Sequence, residues 1–354
     1  MRSILTENTV LSVGIPHKNA EEARLQLLRH DLLLTNLKPI KTKDLVFFPV
    51  VDHRQLSKLL HNISFTVQEC TFPIKHKMEP IHKVLKKEFP DIQWNDTSLK
   101  FDQLGDIVVL KLHPRKISLS VRQRVGELIL SYSKKIKTVL NKSDVIEGAE
   151  RIYPIEHLAG EKRWKSWHQE YGVLIWVDLK RAYFNPRLAE EHHRVAVSGI
   201  EGKKILDMFT GVGPFALHCA KHALCEIVAI DINPYAIAAL QKSIKKNKLK
   251  GNIHPIIADS LSILRMHRSF DRIIINLPDY SINYLSLATK LLKKGGIVTF
   301  YQFISKTENP KQLIRKKISS QLTNVNSYKE LNIKVGREIS PSRIQVNVDL
   351  LFTS

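Results

Sequence analysis

A glycine turn between a buried strand and a helix is the feature that most constrains the fold of this chain. In residues 204–216, KILDMFTGVGPFA, an apolar strand ends at Asp207, Gly211 and Gly213 form a turn, and a helix begins near Pro214. Glycine lets the backbone approach a ligand closely, because no Cβ intervenes. From about residue 166 onward short apolar strands alternate with helical segments, which is typical of a doubly wound, mostly parallel α/β sheet. Strands are predicted at residues 173–177, 204–207, 226–230, 253–257, 272–275 and 296–300.

Two smaller α/β domains are predicted ahead of this sheet. Residues 1–67 contain apolar strands at 10–15 and 45–51 and a helix that begins near Asn19. Asn19 and Glu22 have the spacing of a capping box, in which both side chains accept hydrogen bonds from backbone N–H groups at the start of a helix. We therefore predict a small α/β domain at the N-terminus.

The second small domain is predicted over residues 68–165. Its helices are expected at 80–89 and 120–133, and a strongly β-branched strand is expected at 106–112. With residues 166–354 as the catalytic domain, a chain of 354 residues contains three domains. That number agrees with the usual size of roughly 150 residues per domain.

The net charge points to a polyanionic partner. The sequence has 55 Lys and Arg against 34 Asp and Glu, a net charge of +21. Nucleic acid is the first candidate for such a surplus. Residues 111–142 hold nine basic side chains and one acid, Glu127. Such a run can be only a solvated helix face, but the charge of the whole chain favours a surface that faces RNA or DNA.

The cysteines and the apolar stretches exclude several classes of protein. Cys70, Cys219 and Cys225 cannot form a disulfide framework and have no CxxC spacing, so we predict no metal site. The first residues lack the apolar region of a signal peptide, and apolar stretches fall far short of the roughly 20 residues that span a bilayer. We expect a soluble, cytoplasmic protein that has no membrane partner.

Each of the next three strands after the glycine turn is followed by a polar residue. Asp231 lies 20 residues after Gly211 and can accept hydrogen bonds from both ribose hydroxyls of an adenosine. Asp259 ends the following strand, and Asn276 and Pro278 follow the strand after that. Ligands of open α/β sheets bind at this carboxyl edge. The spacing therefore predicts a binding site there.

Taken together, these features resemble the class I S-adenosylmethionine-dependent methyltransferases. Ala216 stands where the dinucleotide fingerprint GxGxxG has its third glycine, and Asp207 precedes the turn, so the motif is not that of a nicotinamide enzyme. The resemblance implies a Rossmann-like class I methyltransferase fold with S-adenosylmethionine as cofactor. The cofactor-binding residues it implies are Asp207, Gly211, Gly213, Asp231, Asp259 and Asn276.

The segment Asn276-Leu277-Pro278 narrows the chemistry further. Variants of Asp/Asn-Pro-Pro-aromatic characterise methyltransferases that act on planar nitrogens of bases and amides. A side-chain amide and a backbone carbonyl there can hydrogen-bond the nitrogen, while proline stiffens the turn. In this chain Asp279 follows the proline directly and Tyr280 comes one residue later, which argues against stacking by that tyrosine.

Over nearly its whole length the sequence resembles the archaeal and eukaryotic tRNA (guanine-N1-)methyltransferases that modify guanosine 37, beside the anticodon. The family's Asp-Met-Phe-Ala-Gly appears here with Thr210 in place of alanine. The resemblance implies methyl transfer to N1 of guanosine 37, a monomeric enzyme, and tRNA as partner through its anticodon stem-loop and outer corner. The matching stretches are residues 148–160, 183–191, 207–215 and 276–278.

The same resemblance assigns roles to single residues. The family's Thr/Ser-Glu-Arg triplet is Glu190-Glu191-His192 here, so either glutamate could be the catalytic carboxylate, and Glu191 has the family's spacing of four residues after Arg187. The resemblance implies that Glu191 is the general base and that Arg151 stabilises the substrate. Guanine N1 must lose a proton as the methyl group arrives, and a desolvated glutamate can accept it. The remaining residues it implies are Asn276 and Pro278 for catalysis and Tyr183 and Phe209 for cofactor binding.

Three alternatives remain open from the sequence. One is the related aminocarboxypropyl transferase of wybutosine synthesis, against which Asn276-Leu277-Pro278 argues. The second is a dual enzyme that also methylates carbon 7 of the tricyclic wyosine precursor. The third is a tRNA-binding protein with a degenerate pocket, against which Asp207, Asp231 and Asn276 argue.

Overall fold

The computed structural model describes residues 7–73, 80–90, 92, 94, 101–142, 154–265, 269–323 and 328–353. The chain divides into two compact units, Met1–Val84 and Leu85–Ser354. The boundary at Val84 falls inside the predicted middle domain, residues 68–165, and the predicted catalytic domain lies wholly in the second unit. In the described part of the chain, no helix combines the length and apolar character that a membrane crossing requires.

The first unit is built on a four-stranded sheet in the order β2-β3-β1-β4. Val13, Leu27 and Phe48 lie in its core. The fourth strand pairs with β1 as far as Pro73, so the N-terminal sheet continues past residue 67, where the sequence placed the boundary. In chain order its elements are β1 (Glu7–Pro16), α1 (Ala20–Arg29), β2 (Ile40–Lys41), β3 (Leu45–Pro49), α2 (Leu56–Leu59) and β4 (Thr66–Pro73).

The predicted capping box at the start of α1 is wrong. The Asn19 side chain makes no capping hydrogen bond within the described chain, and its backbone is already helical, with φ −107° and ψ 0°. A short 3-10 turn, His17–Asn19, precedes the helix and places Asn19 in this conformation. A capping residue needs an extended backbone to reach the free N–H groups.

The second unit begins with a smaller sheet of order β5-β6-β7-β8. Strands β6 and β7 are parallel, and α4 supplies the crossover between them. The elements are α3 (Ile81–Glu88), β5 (Asp102–Leu104), β6 (Ile107–Leu110), α4 (Leu119–Tyr132), β7 (Thr138–Lys142) and β8 (Ile155–Gly160).

A two-stranded hairpin follows, formed by β9 (Lys165–Glu170) and β10 (Val173–Asp178). The sequence placed residues 173–177 in the parallel sheet, but β10 pairs with β9 in an antiparallel ladder instead. The two-residue turn explains the difference, because Tyr171 and Gly172 both have positive φ, +44° and +77°. Those angles belong to the tight turns that join adjacent antiparallel strands.

The C-terminal sheet has seven strands in the order β13-β12-β11-β14-β15-β17-β16. The first five strands are parallel, and β17 and β16 add an antiparallel hairpin that the sequence did not predict. Its elements are α5 (Ala189–Ala196), β11 (Lys204–Asp207), α6 (Pro214–His222), β12 (Glu226–Asp231), α7 (Pro234–Lys246), β13 (Asn252–Ile257), β14 (Phe270–Ile275), α8 (Leu285–Leu291), β15 (Leu292–Ser305), α9 (Pro310–Gln321), β16 (Tyr328–Ser340) and β17 (Arg343–Phe352).

Buried side chains cover both faces of this sheet. Ile205 packs on one face with Phe215, and its neighbour Leu206 packs on the other face with Ile273, as the alternation along a strand requires. The strand order reverses between β11 and β14, since β12 and β13 lie on one side and β14 and β15 on the other. A crevice at the carboxyl ends of the strands forms at such a switch point.

Candidate active site

Asp207 lies at the end of β11 and is completely buried. Its Oδ2 accepts a hydrogen bond from the Thr210 hydroxyl at 2.8 Å, so the threonine that departs from the family motif holds this carboxyl. Burial, together with the negative charge of Asp231, raises the pKa of Asp207 to about 7. Among the described residues Oδ1 of Asp207 has no hydrogen-bond partner, which leaves it as an acceptor for a ligand.

The two glycines of the turn differ in their surroundings. Gly211 has φ +56°, and its N–H donates to Oδ2 of Asp231 at 2.7 Å. Gly213 has φ +79° and precedes α6, where a Cβ would overlap the Leu240 side chain of α7. The positive φ favours glycine at both positions, and at Gly213 the packing of α7 leaves no room for a Cβ either.

Asp231 is oriented by two backbone N–H groups, that of Gly211 and that of Asn233, which donates to Oδ1 at 2.9 Å. Asn233 was not predicted from the sequence as a residue of the site. Its side chain caps α7 by accepting from Tyr235 N–H at 2.9 Å and donates to the Arg181 carbonyl at 2.6 Å. Asparagine before proline is a helix-start signal that the sequence did contain. This contact ties the chain before Tyr183 to the carboxyl edge.

Phe209 lies in the turn after β11, and Asp259 follows β13 on the same side of the switch point as Asp231. Asp259 is exposed after β13, and its Oδ1 accepts a hydrogen bond from Leu261 N–H at 2.9 Å. The Phe209 ring packs edge-on against Tyr284 with 4.8 Å between centroids. Burial raises the pKa of Tyr284, and the charge of Asp259 raises it further. An aromatic pair therefore stands beside a carboxylate at the end of the sheet.

The loop after β14 presents one free acceptor. Oδ1 of Asn276 is buried and has no hydrogen-bond partner in the described chain. The sequence predicted that a backbone carbonyl of this loop could also bind the target nitrogen. In the structure, however, Pro278 O already accepts a hydrogen bond from Phe303 N–H at 2.7 Å. Leu277 O likewise accepts from the N–H groups of Tyr280 and Ser281, both at 2.8 Å. Tyr280 is 56% exposed. The side-chain amide is thus the group that the loop leaves for a ligand.

The two candidate glutamates of α5 differ in environment. Glu190 is exposed, whereas Glu191 is 7% exposed. Oε2 of Glu191 accepts hydrogen bonds from Arg194 Nε at 2.8 Å and from the Tyr301 hydroxyl at 3.4 Å. Oε1 lies 3.7 Å from Lys334 Nζ. The structure therefore places Glu191, and not Glu190, against side chains of β15 and β16, the strands on either side of β17.

Arg194 links Glu191 to the antiparallel end of the sheet. Its Nη1 donates to Asp349 Oδ2 at 2.8 Å, and Thr299 donates to the other oxygen of Asp349 at 2.7 Å. The two carboxylates raise the pKa of Arg194 despite its partial burial. Because Asp349 lies on the hairpin that the sequence did not predict, this network was not predicted either.

Arg187 connects the segment before α5 to the smaller sheet. Its Nε donates to Asp102 Oδ1 at 2.6 Å, and Lys142 donates to the other oxygen at 2.7 Å. Burial opposes ionisation of Asp102, but the two cations lower its pKa. A cleft between the smaller sheet and the segment that follows β10 is lined by Asp102, Lys142, Tyr183 and other side chains. Arg151, the residue predicted to stabilise the substrate, lies outside the described residues.

Seven of the nine basic residues in the 111–142 run are exposed. Arg122 is buried and pairs with Glu156 at 2.8 Å, and Lys142 pairs with Asp102 as above. These two side chains stabilise the smaller sheet. The exposed members are Lys111, Arg115, Lys116, Arg124, Lys134, Lys135 and Lys137.

Two protein-family models match the chain in tandem. The TRM5/TYW2 methyltransferase domain matches residues 166–333. The TYW2 N-terminal domain matches residues 81–163. The first match covers α5, the glycine turn, Asp231 and the Asn276 loop.

Individual relatives agree with these matches. The chain is 31% identical over 316 residues to tRNA (guanine(37)-N(1))-methyltransferase Trm5b of Methanocaldococcus jannaschii, which covers 88% of this chain and 92% of the relative. The crystal structure of Trm5b from Pyrococcus abyssi has a TM-score of 0.69 at 28% identity, covering 98% of this chain and 100% of that chain. A complex structure of aTrm5 and tRNALeu has a TM-score of 0.67 at 28% identity, with 97% and 100% covered. The predicted class I fold and the predicted family are confirmed, and the chain belongs to the TRM5/TYW2 methyltransferase family.

Proposed function

We propose that this chain transfers a methyl group from S-adenosylmethionine to N1 of guanosine 37 in tRNA. The observation that carries the proposal is the buried, unpartnered Oδ1 of Asn276, held at the carboxyl end of β14 next to the glycine turn of β11. An amide at that place can accept a hydrogen bond from a planar nitrogen and orient it. The relatives named above carry out this reaction on tRNA, according to their names.

The residues at the sheet edge fit S-adenosylmethionine. Asp231 is oriented to receive the ribose hydroxyls, and the unpartnered Oδ1 of Asp207 can accept from the positively charged amino acid part. Phe209, with Tyr284, offers an apolar wall, and Asp259 offers a carboxylate beside it. The backbone carbonyl of Tyr183 lies beside Gly211, at the edge of the same site. When bound, the cofactor would supply a methyl group on a positively charged sulfur.

Glu191 is the residue that we assign as general base. Its carboxylate would accept the N1 proton of guanine as the N1 electron pair takes up the methyl group that the cofactor would supply. Arg194, Tyr301 and Lys334 orient the carboxylate. Arg151 would stabilise the charge that grows on guanine O6. Pro278 would stiffen the loop that presents Asn276.

The target base has to leave the anticodon-loop stack to reach this crevice. The exposed lysines of residues 134–137 offer contacts to phosphates of the stem-loop. The N-terminal unit would contact the outer corner of the same tRNA, and one chain would suffice for one tRNA.

Nucleoside analysis tests the function directly. The protein would be incubated with labelled S-adenosylmethionine and an unmodified tRNA transcript, and the nucleosides would be identified by mass spectrometry. We expect 1-methylguanosine, and no product from a matched transcript that carries adenosine at position 37. Transfer of the aminocarboxypropyl group, or methylation of a wyosine-precursor tRNA alone, would select one of the rival activities.

A further inference from the structure

Histidines from two helices gather on the side of α6 that faces α5. His193 lies on α5, and His218 and His222 lie one turn apart on α6. One possible metal-ligand atom from each of the three rings lies within 4.8 Å of the others. The candidate active site described above uses none of these rings.

Single ring nitrogens of this histidine cluster are buried without the partners that buried polar atoms ordinarily have. His218 is 0% exposed, and its Nε2 contacts the Glu170 carboxylate, whereas its Nδ1 has no hydrogen-bond partner among the described residues. The buried Nδ1 of His193 and Nε2 of His222 are in the same situation. Buried polar groups in native proteins are almost always satisfied by a partner. Three such histidines in one place therefore point to a ligand that all three share.

The surroundings support a cation. His218 Nε2 lies 3.3 Å from Glu170 Oε2, so one nitrogen of the ring can donate to this carboxylate while the other binds a metal. A carboxylate behind a ligating histidine is the usual second contact of such a ring. The Tyr171 ring lies parallel to His193 with 4.3 Å between centroids and holds its plane. His193 and His222 remain partly exposed, which leaves a path from solvent.

We propose that His193, His218 and His222 bind a divalent transition-metal ion. We expect this ion to be Zn²⁺, because imidazole nitrogens are ligands that suit Zn²⁺. Three histidines with an open fourth position are an established zinc geometry. Bonds of about 2.0–2.1 Å in a tetrahedral site place the nitrogens about 3.3 Å apart, so small side-chain rotations close the site. The metal joins α5, which carries Glu191, to α6, which begins at Pro214 directly after the glycine turn.

The cysteine pattern alone predicted no metal site. The signal that the sequence does contain is the spacing of His218 and His222, since residues four apart share one face of a helix. His193 could not be added from spacing, because it comes from a different helix.

Cobalt spectroscopy tests the site without reference to methylation. Metal-free full-length protein would be titrated with Co²⁺, and the visible absorption of a tetrahedral Co²⁺ complex would be recorded. We expect one equivalent to bind with these bands, and Zn²⁺ to displace it and to raise Tm. The variants His193→Gln and His222→Gln should lose the bands and the rise in Tm.

The matched control is His254→Gln, which removes an exposed histidine of β13 that pairs with Glu226. It should keep the bands and the stoichiometry. Far-UV circular dichroism verifies that each variant is folded, and because the two test variants lie on different helices, either one alone is sufficient. Absence of tetrahedral bands in the wild type, or bands that persist unchanged in a folded cluster variant, would overturn the proposal.

Discussion

The backbone N–H of Gly211 donates a 2.7 Å hydrogen bond to Oδ2 of Asp231. This bond joins the turn after β11 to the end of β12, so two motifs that lie 20 residues apart in the sequence form one rigid edge. Asn233 N–H holds the other oxygen at 2.9 Å. The carboxylate is therefore oriented before any ligand arrives, which lowers the entropy cost of binding.

Replacing Asp231 should weaken cofactor binding. Because its carboxylate is assigned to the ribose hydroxyls, we expect Asp231→Ala to reduce S-adenosylmethionine affinity by about 1.5–3 kcal/mol, the typical contribution of hydrogen bonds to a charged group. Isothermal titration calorimetry measures it. The control is Glu226→Gln, at the opposite end of the same strand, which should bind as the wild type does. Unchanged affinity in Asp231→Ala would reject the assignment.

The two adjacent glutamates should differ in their effect on rate. A general base contributes about 10²–10⁴-fold to rate, so Glu191→Gln should slow single-turnover methylation by that factor at neutral pH. Glutamine keeps an acceptor for Arg194, and tRNA and cofactor affinity should change little. Higher pH should partly restore the rate, because more guanine is then already deprotonated.

Glu190→Gln is the matched control, since Glu190 is exposed on the same helix. Its rate should stay within a few-fold of the wild-type rate. If Glu190→Gln were slow and Glu191→Gln had the wild-type rate, the general base would be Glu190. Normal rates in both would place the base elsewhere.

The buried carboxyl of Asp207 should make stability depend on pH. Its folded pKa is raised to about 7, so between pH 4 and 7 the folded protein binds a proton that the unfolded protein has lost. Folding is therefore favoured at low pH by this group, and its contribution is lost as pH rises toward 7. The variant Asp207→Asn keeps an oxygen that can accept from Thr210. Because asparagine does not titrate, the variant should not show this decrease in stability as pH rises.

Urea unfolding without cofactor measures this effect. The free energy of unfolding of Asp207→Asn minus that of the wild type should increase between pH 4.5 and 7.5, by up to roughly 3 kcal/mol. The difference isolates one group, because other titrations are common to both proteins. A difference that is independent of pH would show that Asp207 does not titrate in this range.

tRNA affinity should fall steeply with salt. Exposed lysines that contact phosphates release counterions, so log K should decrease linearly with log[salt]. Replacing Lys134, Lys135 and Lys137 with glutamine should reduce the slope by about 3, or about 1 for each lysine that binds a phosphate. The control replaces the exposed Lys316 and Lys317 of α9 and should leave the slope unchanged. Equal slopes in all proteins would show that the basic residues of 111–142 form a solvated surface and do not contact phosphates.

The sequence by itself determined the elements whose signals are local. The strand, turn and helix around Gly211 were predicted within a residue or two, as were the strands that end at Asp231 and near Asn276. Buried parallel strands read as short apolar runs, and glycine, asparagine and proline mark their ends. The carboxyl edge of the sheet was predictable because parallel strands bring their ends together.

Only the tertiary structure decided the contacts between distant segments. Strand β10 reads as one more buried strand, yet a turn with two positive φ angles pairs it with β9. The partners of Glu191 on β15 and β16 lie more than 100 residues further along the chain. The histidine cluster needs α5 beside α6. Such contacts depend on how whole elements pack, and packing depends on shape and burial that no short stretch of sequence encodes.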